Sequence, residues 1–242
     1  MIKIINLTKK FDREVIINNI STEINENETT FITGQSGSGK SVLAKHICGL
    51  LKATNGEIFI DDENITKHSE DELLKIRKKI LYIFQKPALL DNLTNIENII
   101  LPAVKNDGKA NKKEIIKKVI EIAKEIEVDE YLNKFPFEIN LSIQKIYSII
   151  RGIITNAKYI IFDEPTTSLD YRSIEKIDNL IINYSKKNNI TPIIISHNLK
   201  TIMKYADKII FVENGNIPFK GNVAEFKNSK VEIIKEFISN LE

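Results

Sequence analysis

The stretch Gly34-Gln35-Ser36-Gly37-Ser38-Gly39-Lys40-Ser41 brings three glycines, a lysine and a terminal hydroxyl together at spacings suited to a phosphate. It fits the pattern G-x-x-x-x-G-K-[ST]. Glycines let the backbone curl until N–H groups point inward at anionic oxygens, Lys40 adds a point charge, and Ser41 offers a hydroxyl to Mg²⁺. Three more polar groups each follow an apolar run: Gln85 after Ile80–Phe84, Asp163-Glu164 after Lys158–Phe162, and His197 after Pro192–Ser196. In open α/β sheets ligands gather at the carboxyl ends of strands, which is where these residues would stand. Asp163 suits the shell of a Mg²⁺ ion, and Glu164 suits acceptance of a proton from a water attacking a γ-phosphate. Two adjacent carboxylates behind a buried strand are costly unless something uses them. Gln85 has two readings: it reaches the Mg²⁺ or the attacking water, or it only opens a solvent-facing loop. Ser168-Leu169-Asp170 follows within reach of the same edge. Phe11, flanked by Lys9, Lys10 and Asp12, is either a stacking surface for an adenine ring or a strand aromatic packed in the core.

Positioning these groups requires alternating strands and helices. Residues 28–33 read as a buried strand ahead of the glycine-rich loop and Val42 to Leu51 as the helix after it. Met1 to Thr33 predicts short strands with Ile2, Ile4, Val15, Ile17, Ile20 and Ile24 facing inward. Asn55-Gly56 marks a turn into a strand over Glu57–Asp61, and Ser69-x-x-Glu72 opens a helix as a capping box. From Pro87 to Ala157 the pattern becomes helical, with further boxes at Thr94-x-x-Glu97 and Asn111-x-x-Glu114. There, Ile115, Ile116, Val119, Ile120, Ala123 and Ile126 recur at helical spacing, and the interleaved lysines read as a solvated face. A helix over about 172–187 precedes the His197 strand. A hairpin over Asn214-Gly215 joins Lys208–Glu213 to Ile217–Phe219. Asn222-x-x-Glu225 then caps a short helix, and Val231, Ile234, Phe237, Ile238 and Leu241 form the apolar face of a terminal one.

Composition narrows the function classes. The 242 residues carry 35 basic and 33 acidic side chains, a net charge of +2, so no broad positive field invites a nucleic-acid backbone. Arginine occurs only at 13, 77, 151 and 172, too sparse for bidentate base reading. The single cysteine, Cys48, has no internal partner and suits a reducing compartment. The apolar run Ile146–Ile154 is short and broken by Arg151 and Gly152, so membrane contact is expected through a partner.

Taken in order, the phosphate loop, Gln85, Asp163-Glu164-Pro165-Thr166, Ser168-Leu169-Asp170 and His197 resemble the ATP-binding subunit of an ABC transporter over nearly the whole chain. Gly34 to Leu51, Phe84-Gln85 with Ala88-Leu89-Leu90 and Leu93-Thr94, and Gly221 with Glu225-Phe226 are most similar to the Mla-type ATPase, which serves phospholipid transport with an MCE-domain partner. The resemblance implies an α/β fold: a P-loop NTPase (RecA-like) core sheet with an N-terminal antiparallel β subdomain and an inserted helical subdomain. It implies one nucleotide-binding domain over 1–242, with 87–157 helical and 1–86 plus 158–242 forming the rest. It further implies ATP and Mg²⁺ as ligands, with Gly34, Gln35, Ser36, Gly37, Ser38, Gly39 and Lys40 on the phosphates. Ser41, Gln85 and Asp163 serve the metal, and Glu164, His197, Gln85 and Lys40 act in hydrolysis. The implied partners are a second ATPase subunit closing head to tail, a membrane permease on whose cytoplasmic face the chain sits, and an MCE-domain protein.

The family's signature segment, usually Leu-Ser-Gly-Gly-Gln, is altered. The ungapped register, anchored by Pro136 and Arg151, makes it Ile139-Asn140-Leu141-Ser142-Ile143, with Asn140 and Ser142 implied to reach ATP across the pair and Asp170 implied to bind nucleotide as well. Leu141 adds bulk where the family has glycine, implying slower closure and hydrolysis. A heterodimer whose other subunit supplies an intact signature is the alternative within transport. Amino-acid import, lipoprotein export and a division-type regulatory module are the other functional readings.

Overall fold

The computed structural model describes residues 1–106 and 111–239. Two sheets and two apolar clusters organise it. Strands β1 (Ile2–Phe11), β2 (Glu14–Ile24), β4 (Asn55–Ile60) and β5 (Glu63–Asn64) form an antiparallel sheet in the order β2-β1-β4-β5. The second sheet runs β10-β9-β3-β8-β7-β6, from β3 (Thr30–Thr33), β6 (Ile80–Ile83), β7 (Tyr159–Asp163), β8 (Thr191–Ile195), β9 (Lys208–Glu213) and β10 (Asn216–Gly221). All its pairs are parallel except β9–β10, the predicted hairpin.

The parallel strands are covered on both faces, so they read as unbroken apolar runs rather than as alternation. The period of two still sorts their side chains. Ile160, Phe162, Phe31, Ile194, Ile209 and Phe211 pack into the cluster shared with the helical layer. Tyr159, Ile161, Ile32, Ile193, Ile195, Ile210 and Val212 face the antiparallel sheet and helix α1 (Lys40–Ile47). Helix α2 (Glu70–Lys79) precedes β6, and between β6 and β7 lie α3 (Asn95–Asn106), α4 (Lys112–Glu125) and α5 (Leu141–Ile153), the inserted helical layer. The lysines of α4 point to solvent, Lys118 being half-buried. After β7 come α6 (Tyr171–Lys187), α7 (Leu199–Tyr205) and α8 (Val223–Lys227). The terminal helix α9 (Glu232–Ser239) buries Ile234 and Phe237 on the sheet, while Leu241 lies outside the described residues.

Several expected elements shift, and the strand expected over Glu57–Asp61 runs Asn55–Ile60, taking in the expected turn Asn55-Gly56. The helix after the phosphate loop begins at Lys40 rather than Val42 and ends at Ile47. The strand before the loop begins at Thr30. Val15, expected inward, is 43% exposed, because β1 and β2 are long strands with irregular pairing and the register slips between Lys9↔Ile17 and Lys10↔Val15. A slip of this kind sends a side chain to the opposite face.

Candidate functional site

Because β3, β6, β7 and β8 run parallel, their carboxyl ends open on one edge. Two hydrogen bonds carry the ladder past the strands: Glu164 N–H donates to Ile195 O (3.0 Å), and Ser196 N–H donates to Ile32 O (3.3 Å). The phosphate loop, Glu164 and His197 are thereby held side by side. A cavity of about 720 Å³ opens there, lined by Gly34–Gly37, Gly39–Ser41, Gln85, Glu164, Thr167 and His197, with Ile16 at its wall.

The loop's shape depends on glycine. Gly34 has φ of 136°, and a Cβ there would lie 2.0 Å from Val212 O, so no other residue lets the loop leave β3 against β9. The hairpin turn braces the other side, Gly215 N–H donating to Ser38 O at 3.1 Å. Lys40 Nζ bends back over this cradle and donates to Gly34 O (3.0 Å) and Gln35 O (2.6 Å). Burial pulls its pKa below the ordinary lysine value, and the carboxylates of Glu164, Asp163 and Glu213 push it back up.

Ser41 Oγ donates to Asp163 Oδ1 at 3.1 Å, so one hydroxyl and one carboxylate from different elements meet beside the cradle. A buried Ser38 Oγ has no hydrogen-bond partner, the kind of group a phosphate oxygen would satisfy. Among the described residues no cluster of three or more His, Cys, Asp or Glu side chains could cage a metal. A hydroxyl, a carboxylate and an amide instead suit Mg²⁺, which keeps waters and takes few protein ligands when phosphates supply the rest. The residues therefore fit a Mg²⁺–nucleotide.

Glu164 sits at φ of 49°, a left-handed conformation costly for a side chain of this kind and concentrated at functional sites. Its carboxylate is held on two sides. Thr167 Oγ1 donates to Oε2 at 2.7 Å, and His197 Nδ1 lies 3.1 Å from Oε1. Lys145, buried at the start of α5, donates to Thr167 O at 2.7 Å and so ties that helix to the loop after Glu164.

Four sequence candidates belong neither to the cavity wall nor to the loop and the Ser41–Asp163 pair beside it. Phe11 is 43% exposed at the β1–β2 turn, with Lys9 Nζ 4.7 Å from its ring. Asp170 caps α6, its Oδ1 accepting from Ser173 N–H at 3.1 Å. Asn140 caps α5 through Ile143 N–H at 3.0 Å, and Ser142 Oγ accepts from Ser173 Oγ at 3.3 Å. Asn140 thus opens the helix at whose far end Arg151 donates to Pro87 O and Ala88 O. Tyr82, Thr167 and Lys145 were not among the sequence candidates. Thr167 had a signal in its spacing of three from Glu164. Tyr82 and Lys145 had none, because each depends on which elements lie side by side.

Residues 17–167 match the family model described as "ABC transporter". The chain belongs to the ABC transporter family. It is a nucleotide-hydrolysing cassette that uses ATP with Mg²⁺. It is 33% identical over its whole length to the methionine import ATP-binding protein MetN of Carboxydothermus hydrogenoformans, covering 72% of that protein. It is 34% identical to the lipoprotein-releasing system ATP-binding protein LolD of Buchnera aphidicola subsp. Schizaphis graminum, over 90% of this chain and 96% of that one. Among solved structures, a cassette in a dimeric, post-hydrolysis state bound to ADP and Pi superposes with a TM-score of 0.84 at 30% identity, over 92% of this chain and 99% of that one. The shared architecture is the α/β cassette with antiparallel β subdomain and helical insertion described above.

Proposed function

We propose that this chain drives a membrane transporter as its ATP-hydrolysing subunit, seated on the cytoplasmic face of a permease and paired head to tail with a second ATPase subunit. The observation that carries the reading is the convergence of the phosphate cradle, the Ser41–Asp163 pair and the clamped Glu164 on one cavity. In this reading Lys40 and the N–H groups of Gly34–Gly39 bind the β- and γ-phosphates. Ser41, Asp163 and Gln85 hold Mg²⁺, which supplies neutralising charge to the phosphates when bound. Glu164 takes a proton from the attacking water, and His197, which touches Glu164, contacts the γ-phosphate. Phe11 keeps its candidacy as the adenine platform through its exposure. Asn140 and Ser142 reach nucleotide only across a pair of copies, and the dimeric form of a similar cassette supports such pairing, while Asp170 caps α6.

Among the described residues no helix is long and apolar enough to cross a membrane, and in this reading the permease supplies the membrane passage. For the cargo, the names of the relatives favour amino-acid import or lipoprotein release. None of the relatives given above is a phospholipid transporter, so the phospholipid reading and its MCE-domain partner rest on local phrases such as Lys40–Ile47 alone.

The reading is tested by Glu164→Gln, which preserves shape and removes the proton acceptor. Turnover should fall by about 10²- to 10⁴-fold, the usual weight of general-base catalysis, while ATP affinity stays within about twofold. Hydrolysis at the wild-type rate would overturn the assignment of the base.

A further inference from the structure

We propose that Tyr82 is a positioning residue for the metal-binding carboxylate: its hydroxyl fixes the orientation of Asp163 so that one oxygen is presented beside Ser41. The proposal rests on the reading above in which Asp163 serves Mg²⁺. Tyr82 OH donates to Asp163 Oδ2 at 2.5 Å, while Ser41 Oγ donates to Oδ1, so the two carboxylate oxygens have different partners. Tyr82 and Asp163 are both buried.

The sheet explains the reach. β6 and β7 pair in parallel with Tyr82 opposite Ile161. Asp163, two residues further along β7, points to the same face, so a long aromatic side chain bridges diagonally to it. Leu81, Ile83 and Phe84 lack either the orientation or the polar atom. Tyr82 otherwise belongs to the apolar cluster that includes Leu43, Ile47, Tyr159 and Ile161. Its ring rests on Phe84 with centroids 4.9 Å apart. A hydroxyl placed in such surroundings costs free energy unless it is hydrogen-bonded, and Asp163 is the partner the structure gives it. Packing alone would be served as well by phenylalanine. The hydroxyl is therefore the informative part of the residue.

Partners of this kind matter because a ligating carboxylate that is free to rotate binds a cation less well than one held by an outer hydrogen bond. Their loss costs ~10–100-fold in metal affinity. Tyr82→Phe deletes only the hydroxyl and keeps the ring and its contact with Phe84.

The test uses Mn²⁺ as the probe with AMP-PNP as a non-hydrolysable ATP analogue, reading free Mn²⁺ by electron paramagnetic resonance for wild type, Tyr82→Phe and Asp163→Asn. Metal-free AMP-PNP affinity is measured in EDTA by calorimetry. Tyr82→Phe should weaken Mn²⁺ binding about tenfold or more, with metal-free nucleotide affinity within about twofold of wild type. A merely structural role would shift both affinities together and would overturn the proposal. So would unchanged Mn²⁺ affinity in Tyr82→Phe when Asp163→Asn has lost it. If Asp163→Asn also binds Mn²⁺ like wild type, the underlying reading of Asp163 falls, and the proposal with it.

Discussion

Thr167 shows how much of the site's preparation happens away from the ligands. Its hydroxyl donates to Glu164 Oε2, its carbonyl accepts from Lys145 Nζ, and it lines the cavity itself. Glu164 therefore sits in a strained backbone conformation with its side chain steadied by a neighbour three residues on. Thr167→Val is nearly isosteric and removes the donor. A hydrogen bond to a charged group contributes about 1.5–3 kcal/mol, so a carboxylate no longer aimed should cost about tenfold or more in kcat. ATP affinity should change little, because in the proposed reading Lys40 and the loop amides hold the phosphates. Steady-state kinetics decide the matter: an unchanged kcat would show that His197 and the backbone suffice to hold Glu164. At this scale the sequence exposed the groups that end strands, since type and flanking pattern were enough to single out Gln85, Asp163, Glu164 and His197. It could not expose Tyr82, because its importance depends on β6 lying beside β7 in one register.

Elements carry a second kind of information, in their caps and in the charges between them. The boxes at Ser69 and Asn222 form as the spacing indicated, each side chain accepting from the backbone of the third helical residue. Such signals are local, which is why they are legible. The slip between β1 and β2 that exposes Val15 is set by cross-strand pairing and left no mark on either strand alone. The α6–α7 contact has a similarly hidden feature. Asp178 of α6 is buried and accepts from Thr201 Oγ1 of α7 at 2.6 Å. Burial raises its pKa above the ordinary carboxylate range to about 6, against the opposing effects of Thr201 and Lys204. With the folded pKa above the unfolded one, the native state binds the extra proton. The associated stability is complete below about pH 4 and is lost as pH rises through about 6. Asp178→Asn keeps an oxygen for Thr201 and cannot ionise. Its melting temperature should therefore gain on wild type between pH 5 and pH 8, measured by paired thermal melts. A gap that is constant across that range would mean Asp178 is not strained by its charge.

At the scale of the whole molecule, the proposed head-to-tail pair would bring the segment Ile139–Ile143 of one copy toward the phosphate loop of the other. Leu141 stands at the first position of α5, 44% exposed, next to the backbone N–H groups that a helix N-terminus offers to an anion. Asn140 already occupies one of those groups, accepting from Ile143 N–H. In that pairing a leucine side chain there would hold the helix end farther from a facing phosphate than glycine would. Replacing Leu141 and Ser142 together by glycine should therefore speed ATP turnover several-fold in the assembled transporter. The cost is helix stability, about 1 kcal/mol for each glycine relative to alanine, so the variant should melt slightly earlier while working faster. Opposite movement of the two readouts separates relief of a steric barrier from general loosening, which would lower both. Equal turnover in the two proteins would mean that the pair closes around Leu141 without penalty, or that a different subunit supplies the facing segment. Sizing of Glu164→Gln with ATP then tells these apart, since a chain that dimerises with itself under those conditions has no need of another subunit's signature.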